Sequence, residues 1–260
     1  FHLTQNDGTL MAADVVNNFP VLTFASGPTN SMRGAAFLTG VKDAIVVDIG
    51  GTTSDVGALQ NGFPRQAATV VDVGGVRTNF RMPDVFSIGL GGGALGQTDG
   101  DTVKVGPQSV GYKITKEAKV FGGATLTATD VAVACGTAEV GDAALVAGLD
   151  ASVAQKAMQT VHSMLESAVE RSRVSPDPIP VIAVGGGSIL MPDKVGELTV
   201  ILPENFSVAN AVGAAMSQIS GEVDRVFALE GRSRDECLAE AEGEAAEKAV
   251  AAGADPATLE

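Results

Sequence analysis

The sequence has few of the side chains from which many catalytic centres are built. It contains no tryptophan, one tyrosine, two cysteines and two histidines in 260 residues. Cys135 and Cys237 cannot form a disulfide framework, and no zinc-ligand spacing links them to His2 or His162. Without a Gly-x-Ser-x-Gly elbow and with so few imidazoles, a serine hydrolase is also disfavoured. We interpret Cys135 as an inert buried thiol and His162 as a boundary residue of a helix.

Basic residues and long apolar runs are scarce as well. The 17 Lys and Arg face 31 Asp and Glu, for a net charge of −14, which argues against a nucleic-acid partner. No apolar run reaches the roughly 20 residues that span a bilayer, and no signal-peptide pattern is present. The low cysteine content predicts a reducing, cytoplasmic location. Hydrophobic residues make up 45%, so a large core is available.

The acidic residues are concentrated near the end of the sequence. Residues 222–260 contain 11 acidic and 4 basic side chains. Within them, residues 232–252 predict a polar helix rich in alanine and glutamate. We therefore predict one domain over residues 1–229, followed at 230–260 by an acidic helix or linker to a further module. Because the first residue is Phe1 rather than Met, the chain is expected to be a fragment.

An apolar strand that runs into a glycine turn is the most informative stretch. Residues 44–49 read Ala-Ile-Val-Val-Asp-Ile and predict a buried strand. The turn that follows consists of Gly50, Gly51, Thr52 and Thr53. Successive backbone N–H groups at such a turn suit phosphate, and Asp48 at the strand end suits Mg²⁺. The alternative is a hairpin with a Gly-Gly turn and no ligand.

Two further corners carry glycine next to a hydroxyl. Residues 21–25 read as a strand that ends at Ser26 and Gly27, where a helix begins, and this corner is a second candidate anion site. A plain capped helix explains it equally well. The strand at 181–184 is followed by Gly185, Gly186, Gly187 and Ser188. That corner predicts a nucleotide contact, and the alternative is close packing of helix on strand.

The remaining pattern alternates strands with helices and hairpins, which predicts an α/β fold with a mixed sheet. A strand is expected over residues 65–71, and residues 105–111 are expected to be turns. The clearest helix is predicted over residues 151–172, where apolar residues follow the helical period. An echo of the central motif begins at Asp72 but lacks a hydroxyl after its glycines, so it is not taken as a second phosphate site.

Several of these motifs, in this order, resemble the hydantoinase A / 5-oxoprolinase family over roughly residues 1 to 229. The matching segments are Ser26-Gly27-Pro28, Gly34-Ala35-Ala36, Asp48-Ile49-Gly50-Gly51-Thr52-Thr53-Ser54-Asp55-Val56, Ile88-Gly89-Leu90-Gly91-Gly92-Gly93, Val105-Gly106-Pro107-Gln108-Ser109, Thr127-Ala128-Thr129-Asp130, Val184-Gly185-Gly186-Gly187 and Asn210-Ala211-Val212-Gly213-Ala214-Ala215. The resemblance implies a ribonuclease H-like lobe of the actin-like ATPase superfamily. It also implies that the first lobe, with its own phosphate motif, lies upstream of Phe1.

The resemblance further implies ATP, Mg²⁺ and a cyclic-amide substrate whose oxygen is phosphorylated before the ring opens. Asp48 would position metal or water, Asp55 would hold the turn or the metal, and Asp7 would be a carboxylate of the cleft. Asp130 is a weaker cleft candidate, for which a helix cap is the stronger interpretation. A second subunit is an expected partner. The alternatives are an actin-like scaffold or sensor without amidohydrolase activity and a subunit of an ATP-dependent carboxylase.

The sequence departs from the family pattern after Ser109. Family members commonly carry a Pro-Gly-Pro and Cys-Tyr-Gly segment there, whereas this chain reads Val-Gly-Tyr-Lys-Ile-Thr-Lys over residues 110–116. The departure leaves the substrate unassigned between hydantoin, 5-oxoproline and other cyclic amides.

Overall fold

The computed structural model describes residues 1–67, 71–73, 75–77, 82–99, 102–173, 175 and 177–259. Its strands are β1 (His2–Thr4), β2 (Leu10–Ala12), β3 (Ala44–Ile49), β4 (Ser54–Gln60), β5 (Phe63–Pro64), β6 (Asp72–Val73), β7 (Val76–Arg77), β8 (Val85–Ile88), β9 (Ala94–Asp99), β10 (Thr102–Ser109), β11 (Val181–Val184), β12 (Lys194–Val195) and β13 (Leu198–Ile201). Its α-helices are α1 (Ala13–Asn18), α2 (Ser26–Thr39), α3 (Ile114–Glu117), α4 (Ala128–Ala134), α5 (Ala151–Ser172), α6 (Ala209–Met216) and α7 (Arg234–Ala251).

A seven-stranded mixed sheet organises the chain. Its five principal strands lie in the order β8-β4-β3-β11-β13. The β8–β4 and β4–β3 pairs are antiparallel, and the β3–β11 and β11–β13 pairs are parallel. In order of their appearance along the chain this is 3-2-1-4-5, the ribonuclease H-like arrangement. The predicted fold class is confirmed.

The two faces of β3 bury different sets of residues because side chains alternate along a strand. Ile45, Val47 and Ile49 join the core cluster that includes residues of α4 and α5. Ala44 and Val46 join a second cluster with residues of α2 and α6. Helices therefore cover both faces, which explains why the strand reads as a continuous apolar run rather than as an alternation.

Two glycines bring α2 and α6 into backbone contact. A Cβ on Gly34 would lie 1.9 Å from the carbonyl oxygen of Ala209, and a Cβ on Gly213 would lie 1.8 Å from that of Asn30. Neither distance is compatible with a side chain, so both positions require glycine. This contact fixes α6 on α2, on the sheet face that carries Asp48.

Three predictions about local structure are wrong. The expected strand at 21–25 is instead a single 3₁₀ turn over Pro20–Thr23, and Pro20, which lacks an N–H, suits its first position. The expected strand at 65–71 is replaced by the two-residue strand β5, which pairs with β4 across Asn61 and Gly62. Residues 68–70 lie outside the described residues.

The turns expected at 105–111 mostly belong to the long strand β10. It pairs with β9, and the register shifts between Val105 and Ser109. Gly106 has a φ of +71° inside this shift, so Gly106 and Pro107 form an irregularity within a strand rather than a turn between strands. The sequence analysis predicted turns here because glycine followed by proline is typical of turns.

The C-terminal helix α7 is present as predicted and begins at a capping box formed by Ser233 and Glu236. It packs closely on the segment around Gly221, where a Cβ would lie 1.9 Å from the carbonyl oxygen of Ala245. That segment bonds in turn to β2, since the Leu10 N–H donates to the Gln218 carbonyl at 2.8 Å. In the described part of the chain, no helix is long and apolar enough to cross a membrane.

Candidate functional site

The candidate site lies where two parallel strands end side by side. Asp48 of β3 is in register with Val184 of β11, and a glycine corner follows each strand. In open α/β sheets, ligands bind in the crevice at the carboxyl ends of parallel strands. The two glycine corners that the sequence analysis treated separately therefore form one site.

The turn at residues 50–53 is open to solvent on one side. Gly51, Thr52 and Thr53 are exposed, whereas Ser54 is fully buried and donates its hydroxyl to the Leu90 carbonyl at 2.7 Å. Within the turn, the Gly50 N–H donates to the Thr53 carbonyl at 2.9 Å. Ser54 is therefore a structural anchor, and the two threonines present hydroxyls outward.

The segment 91–93 is hydrogen-bonded to this turn. The N–H groups of Gly92 and Gly93 donate to the carbonyls of Gly50 and Gly51 at 3.0 and 2.7 Å. Among the described residues, no hydrogen bond uses the amides of Gly51 and Thr52. The carbonyls of Gly50, Gly51 and Thr53 are thus occupied, whereas the amides of Gly51 and Thr52 have no partner among the described residues, an arrangement that suits an anion.

Helix α4 holds the supporting segment in place. The backbone N–H and the hydroxyl of Thr129 both donate to the Gly92 carbonyl at 2.9 Å. Asp130, fully buried, accepts from the Val120 and Thr127 amides at 2.7 Å and from the Thr127 hydroxyl at 2.8 Å. Asp130 therefore acts as a helix cap, the interpretation that the sequence analysis preferred.

The corner at residues 185–188 packs against the end of β3. The Gly187 N–H donates to the Ile49 carbonyl at 2.8 Å, and a Cβ on Gly187 would lie 2.7 Å from the Gly50 carbonyl oxygen. Gly186 is exposed and has no other heavy atom near its Cβ position. The Ser188 hydroxyl is buried and lacks a partner within the described residues. Close packing thus explains Gly187, and Gly186 faces outward.

Asp48 is the ionisable group at the centre of the site. It is partly buried, and a Cβ on Gly185 would lie only 2.3 Å from its Oδ1. Burial raises the pKa of the Asp48 carboxyl, the negative charge of Asp55 raises this pKa further, and a hydrogen bond from the Ser31 hydroxyl opposes the rise. Asp55 is directly opposite Asp48 in the β3–β4 ladder and accepts a hydrogen bond from the Ser87 hydroxyl.

The residues present fit a magnesium ion. Two carboxylates face the same side of the sheet next to an exposed phosphate-type turn, and Mg²⁺ is commonly held by one or two carboxylates together with substrate phosphates and water. No group of three or more His, Cys, Asp or Glu able to hold a metal lies in the described ranges. The described residues therefore do not provide the full set of protein ligands that is typical of a zinc or calcium site.

The positions of the other predicted site residues give less support for a role at the site. Asp7 accepts from the N–H and the hydroxyl of Thr9 at 2.8 and 2.7 Å, so its carboxylate is engaged in a local turn. Ser26 and Gly27 form the first turn of α2, and the Gly27 carbonyl accepts from the Asn210 side chain at 2.8 Å. The structure brings Asp48, Asp55 and the two glycine corners together.

Sequence reasoning missed three polar side chains near the site: Ser87, which donates to Asp55, and the pair Asn210 and Ser31, in which Asn210 donates to Ser31. Ser31 lies in the second turn of α2, Ser87 is in β8, and Asn210 is the second residue of α6. None of them stands in a recognisable spacing relative to Asp48, although Asn210 belongs to one of the segments that carry the family resemblance. Only the pairing of strands and the contact of α2 with α6 bring them together.

A cavity of about 770 Å³ lies on the opposite face of the sheet, between α5 and strands β8 and β10. Its apolar wall includes Phe86, Ile88 and Met164. None of the predicted site residues lines it. Burial lowers the pKa of the His162 imidazole and raises that of the Cys135 thiol. Cys135 follows the last residue of α4 and is partly exposed, so the prediction that it is a buried thiol is wrong.

Comparison with known proteins agrees with this architecture. The family model described as hydantoinase/oxoprolinase matches residues 1–146, more than half of the 260 residues. The chain therefore belongs to the hydantoinase/oxoprolinase family.

Two curated relatives give further context. The chain is 25% identical over 267 residues to the caprolactamase subunit alpha of Pseudomonas jessenii, covering 89% of this chain and 38% of that protein. It is 29% identical over 141 residues to the acetophenone carboxylase gamma subunit of Aromatoleum aromaticum, covering 52% of this chain and 19% of that protein. The chain thus spans less than half the length of either relative.

Two solved structures share the fold. Nucleotide-free acetone carboxylase aligns with a TM-score of 0.64 and 20% identity, covering 94% of this chain and 39% of that one. The ATP-dependent caprolactamase of Pseudomonas jessenii aligns with a TM-score of 0.61 and 20% identity, covering 98% of this chain and 43% of that one.

Proposed function

We propose that this chain is the phosphate-handling part of an ATP-dependent cyclic-amide hydrolase. The observation that carries the proposal is the pair Asp48 and Asp55 beside an exposed turn whose Gly51 and Thr52 amides have no described partner. Membership of the hydantoinase/oxoprolinase family and similarity to an ATP-dependent caprolactamase support it. Hydantoin, 5-oxoproline and a lactam all remain within the proposed substrate class.

The proposed reaction activates a stable amide by phosphorylation. The amide oxygen attacks the γ-phosphorus of ATP, an O–P bond forms, and ADP leaves with the electrons of the broken bond. Water then attacks the activated carbon, the ring C–N bond breaks, and a second water releases inorganic phosphate. Such a transfer depends on positioned charge more than on covalent chemistry by the protein.

Each site residue has a proposed role in that reaction. The turn formed by Gly50, Gly51, Thr52 and Thr53 would bind the transferring phosphate through amides and hydroxyls. Asp48 would hold Mg²⁺, which neutralises phosphate charge when bound, or would orient water. Asp55 would assist it, and Gly185, Gly186, Gly187 and Ser188 would face the nucleoside. Ser26, Gly27 and Asp7 would border the cleft.

The full-length protein tests the proposal directly. Purified with its partner subunit, it is expected to release ADP only when a cyclic amide is supplied and to open one ring per ATP consumed. Asp48→Ala should abolish this stimulation. Nucleotide binding without amide-stimulated hydrolysis would favour the scaffold or sensor alternative, and an unchanged rate in Asp48→Ala would refute the phosphate site.

A second candidate reaction is ATP-dependent carboxylation. It is favoured by the similarity to the acetophenone carboxylase gamma subunit and to acetone carboxylase. The same site would then activate a different oxygen nucleophile. ATP turnover that depends on bicarbonate and a ketone, and not on a cyclic amide, would select this reaction.

The proposal also extends to partners and location. We infer that an upstream lobe supplies the opposing phosphate motif, that a second subunit joins the assembly, and that residues 230–260 link to a further module. Both curated relatives are named as subunits, one of acetophenone carboxylase and one of caprolactamase. Two free cysteines, Cys135 and Cys237, fit a reducing cytoplasm. Co-purification of the full-length protein with its neighbours would test the assembly.

A further inference from the structure

The cavity beside α5 lies on the sheet face opposite the candidate phosphate site and has a volume of about 770 Å³. Sites that bind small molecules typically have volumes of about 300 to 1,000 Å³. Five apolar side chains line this cavity: Phe86, Ile88, Val103, Met164 and Ala168. All five belong to the main core cluster or pack against it. An apolar molecule in the cavity would therefore be buried against the core.

Hydrogen bonds tie α5 to the chain on both sides of the cavity. The Thr160 hydroxyl donates to the Val103 carbonyl of β10 at 2.9 Å. Near the other end of α5, the Arg65 guanidinium donates to the Ser172 carbonyl at 3.4 Å. The same guanidinium donates at 2.7 Å to the carboxylate of Asp84, the residue before β8. The helix cannot move onto the strands without breaking these bonds, so the cavity is a preformed feature of the fold.

The open side of the cavity is lined by one polar stripe of α5. Gln159, Ser163, Ser167 and Arg171 are spaced four residues apart, so they follow one another along the same side of the helix. All four are exposed. In the part of the chain that the structure describes, no hydrogen bond uses the hydroxyl of Ser163 or Ser167. The stripe therefore offers polar groups to a ligand whose apolar part lies in the cavity.

Arg171 gives this stripe a positive end. Its guanidinium lies over the Phe86 ring, with the central carbon 4.2 Å from the ring centroid. Contact with a ring face leaves N–H donors of the guanidinium available, and their fork matches the two oxygens of a carboxylate. Among the described residues that line the cavity, none is acidic, although the chain contains 31 Asp and Glu. The charge at the cavity therefore suits an anion.

We propose that this cavity binds an apolar molecule that ends in a carboxylate, such as a medium-chain fatty acid. The hydrocarbon would lie against Phe86, Ile88 and Met164. The carboxylate would accept hydrogen bonds from Arg171 and from the Ser167 hydroxyl, one turn before it on α5. The site is separate from the phosphate-binding turn, so this proposal goes beyond the proposed function and does not rest on it.

Titration calorimetry of the full-length protein with decanoate tests the site. We expect saturable binding of one decanoate per chain. Octanoate should bind about 10-fold more weakly, because each buried CH₂ contributes about fourfold in affinity. Decanol lacks the charge and should also bind about 10-fold more weakly than decanoate. Absence of saturable binding up to about 1 mM decanoate would overturn the proposal.

The carboxylate contact is tested by Arg171→Gln. This variant should bind decanoate about 10-fold more weakly and decanol as the wild type does, since only the carboxylate contacts the guanidinium. Arg173→Gln is the matched control, because the Arg173 guanidinium pairs with Glu170 at 2.9 Å and does not line the cavity. Equal affinity of the wild type and Arg171→Gln for decanoate would refute the carboxylate contact, and with it the proposal.

Filling the cavity distinguishes a small-molecule site from a protein interface. Ser163→Trp places an indole at the open side and should abolish decanoate binding. Gln155→Trp, at an exposed position of α5 outside the lining, should bind as the wild type does. If light scattering shows a wild-type dimer or subunit complex that Ser163→Trp dissociates, the cavity is a protein interface and the proposal is wrong. Amide-dependent ATP hydrolysis should be retained in Ser163→Trp, so failure at this cavity and failure of the proposed function give different results.

Discussion

Asp48 and Asp130 both lie within motifs that are recognisable in the sequence, yet their surroundings differ. Asp130 is fully buried and accepts three hydrogen bonds of 2.7 to 2.8 Å from Val120 and Thr127. Asp48 is partly exposed and lies directly opposite a second carboxylate, Asp55. A carboxylate whose oxygens accept hydrogen bonds from the protein stabilises the fold. A carboxylate that has fewer hydrogen bonds and lies beside a second negative charge can instead bind a cation.

The difference shows that burial by itself does not mark a functional carboxylate. Charged groups in the interior are tolerated when hydrogen bonds replace water, and Asp130 has that compensation. Asp48 has less of it, so its position costs folding free energy unless a ligand supplies positive charge. Four substitutions would sharpen or break this comparison.

The largest effect on activity is expected from Asp48→Asn. Amide-dependent ATP hydrolysis should fall by about 10²- to 10³-fold, the usual loss when one preorganised electrostatic group is removed. The control is Asp14→Asn, an exposed carboxylate on α1 that should retain full activity.

Asp48→Asn should increase the stability of the fold, although it lowers activity. Because the folded pKa of Asp48 is raised, the folded state binds its proton more tightly than the unfolded state does. Wild-type stability should therefore fall as pH rises from the unfolded pKa of about 3.9 through the raised folded pKa. Asp48→Asn should lack this decline and be more stable at neutral pH. Equal urea midpoints of the wild type and Asp48→Asn at neutral pH would contradict the interpretation that the ionised Asp48 carboxylate destabilises the fold.

Asp130→Ala should have the converse outcome. It leaves the buried amides of Val120 and Thr127 without acceptors, and a loss of about 2–4 kcal/mol of unfolding free energy is expected. The rate per folded molecule should stay close to that of the wild type. A stable variant with greatly reduced kcat would instead place Asp130 in the catalytic cleft.

Gly185→Ala tests whether Asp48 needs the space beside it. The new Cβ would lie 2.3 Å from the Asp48 Oδ1 and 2.5 Å from the Ile49 carbonyl oxygen, at a φ of +86°. We expect a loss of about 1–3 kcal/mol in stability together with reduced kcat, measured by urea unfolding and steady-state kinetics. Gly148→Ala, which meets no atom within 4 Å, is the control.

The smallest effect is expected from Asp55→Asn. Removing this charge takes away one cause of the raised Asp48 pKa, so the acidic limb of the pH–rate profile should move to lower pH. The amide oxygen of the substituted side chain would still accept from Ser87. A limb that stays in place while the apparent affinity for Mg²⁺ drops would show that Asp55 acts as a direct ligand.

Short-range signals in the sequence were enough to predict several local elements. Helix α5 at Ala151–Ser172 and strand β11 at Val181–Val184 match the predicted bounds, because apolar periodicity and flanking breakers act over a few residues. The central turn and its threonines were also identifiable, since Gly-Gly after a β-branched run has few other structures. In contrast, the predicted strand at 21–25 and the predicted turns at 105–111 were wrong, because the structure has a 3₁₀ turn at the first and most of strand β10 at the second.

Contacts between distant segments determine which of these motifs form one site. The parallel pairing of β3 with β11 brings the corners at residues 50–53 and 185–188 together, and the ladder from β3 to β4 sets Asp55 opposite Asp48. The contact of Gly34 with α6 brings Asn210 to Ser31, 179 positions away in sequence. Such contacts depend on distance in space and on the absence of a Cβ, which no local pattern encodes.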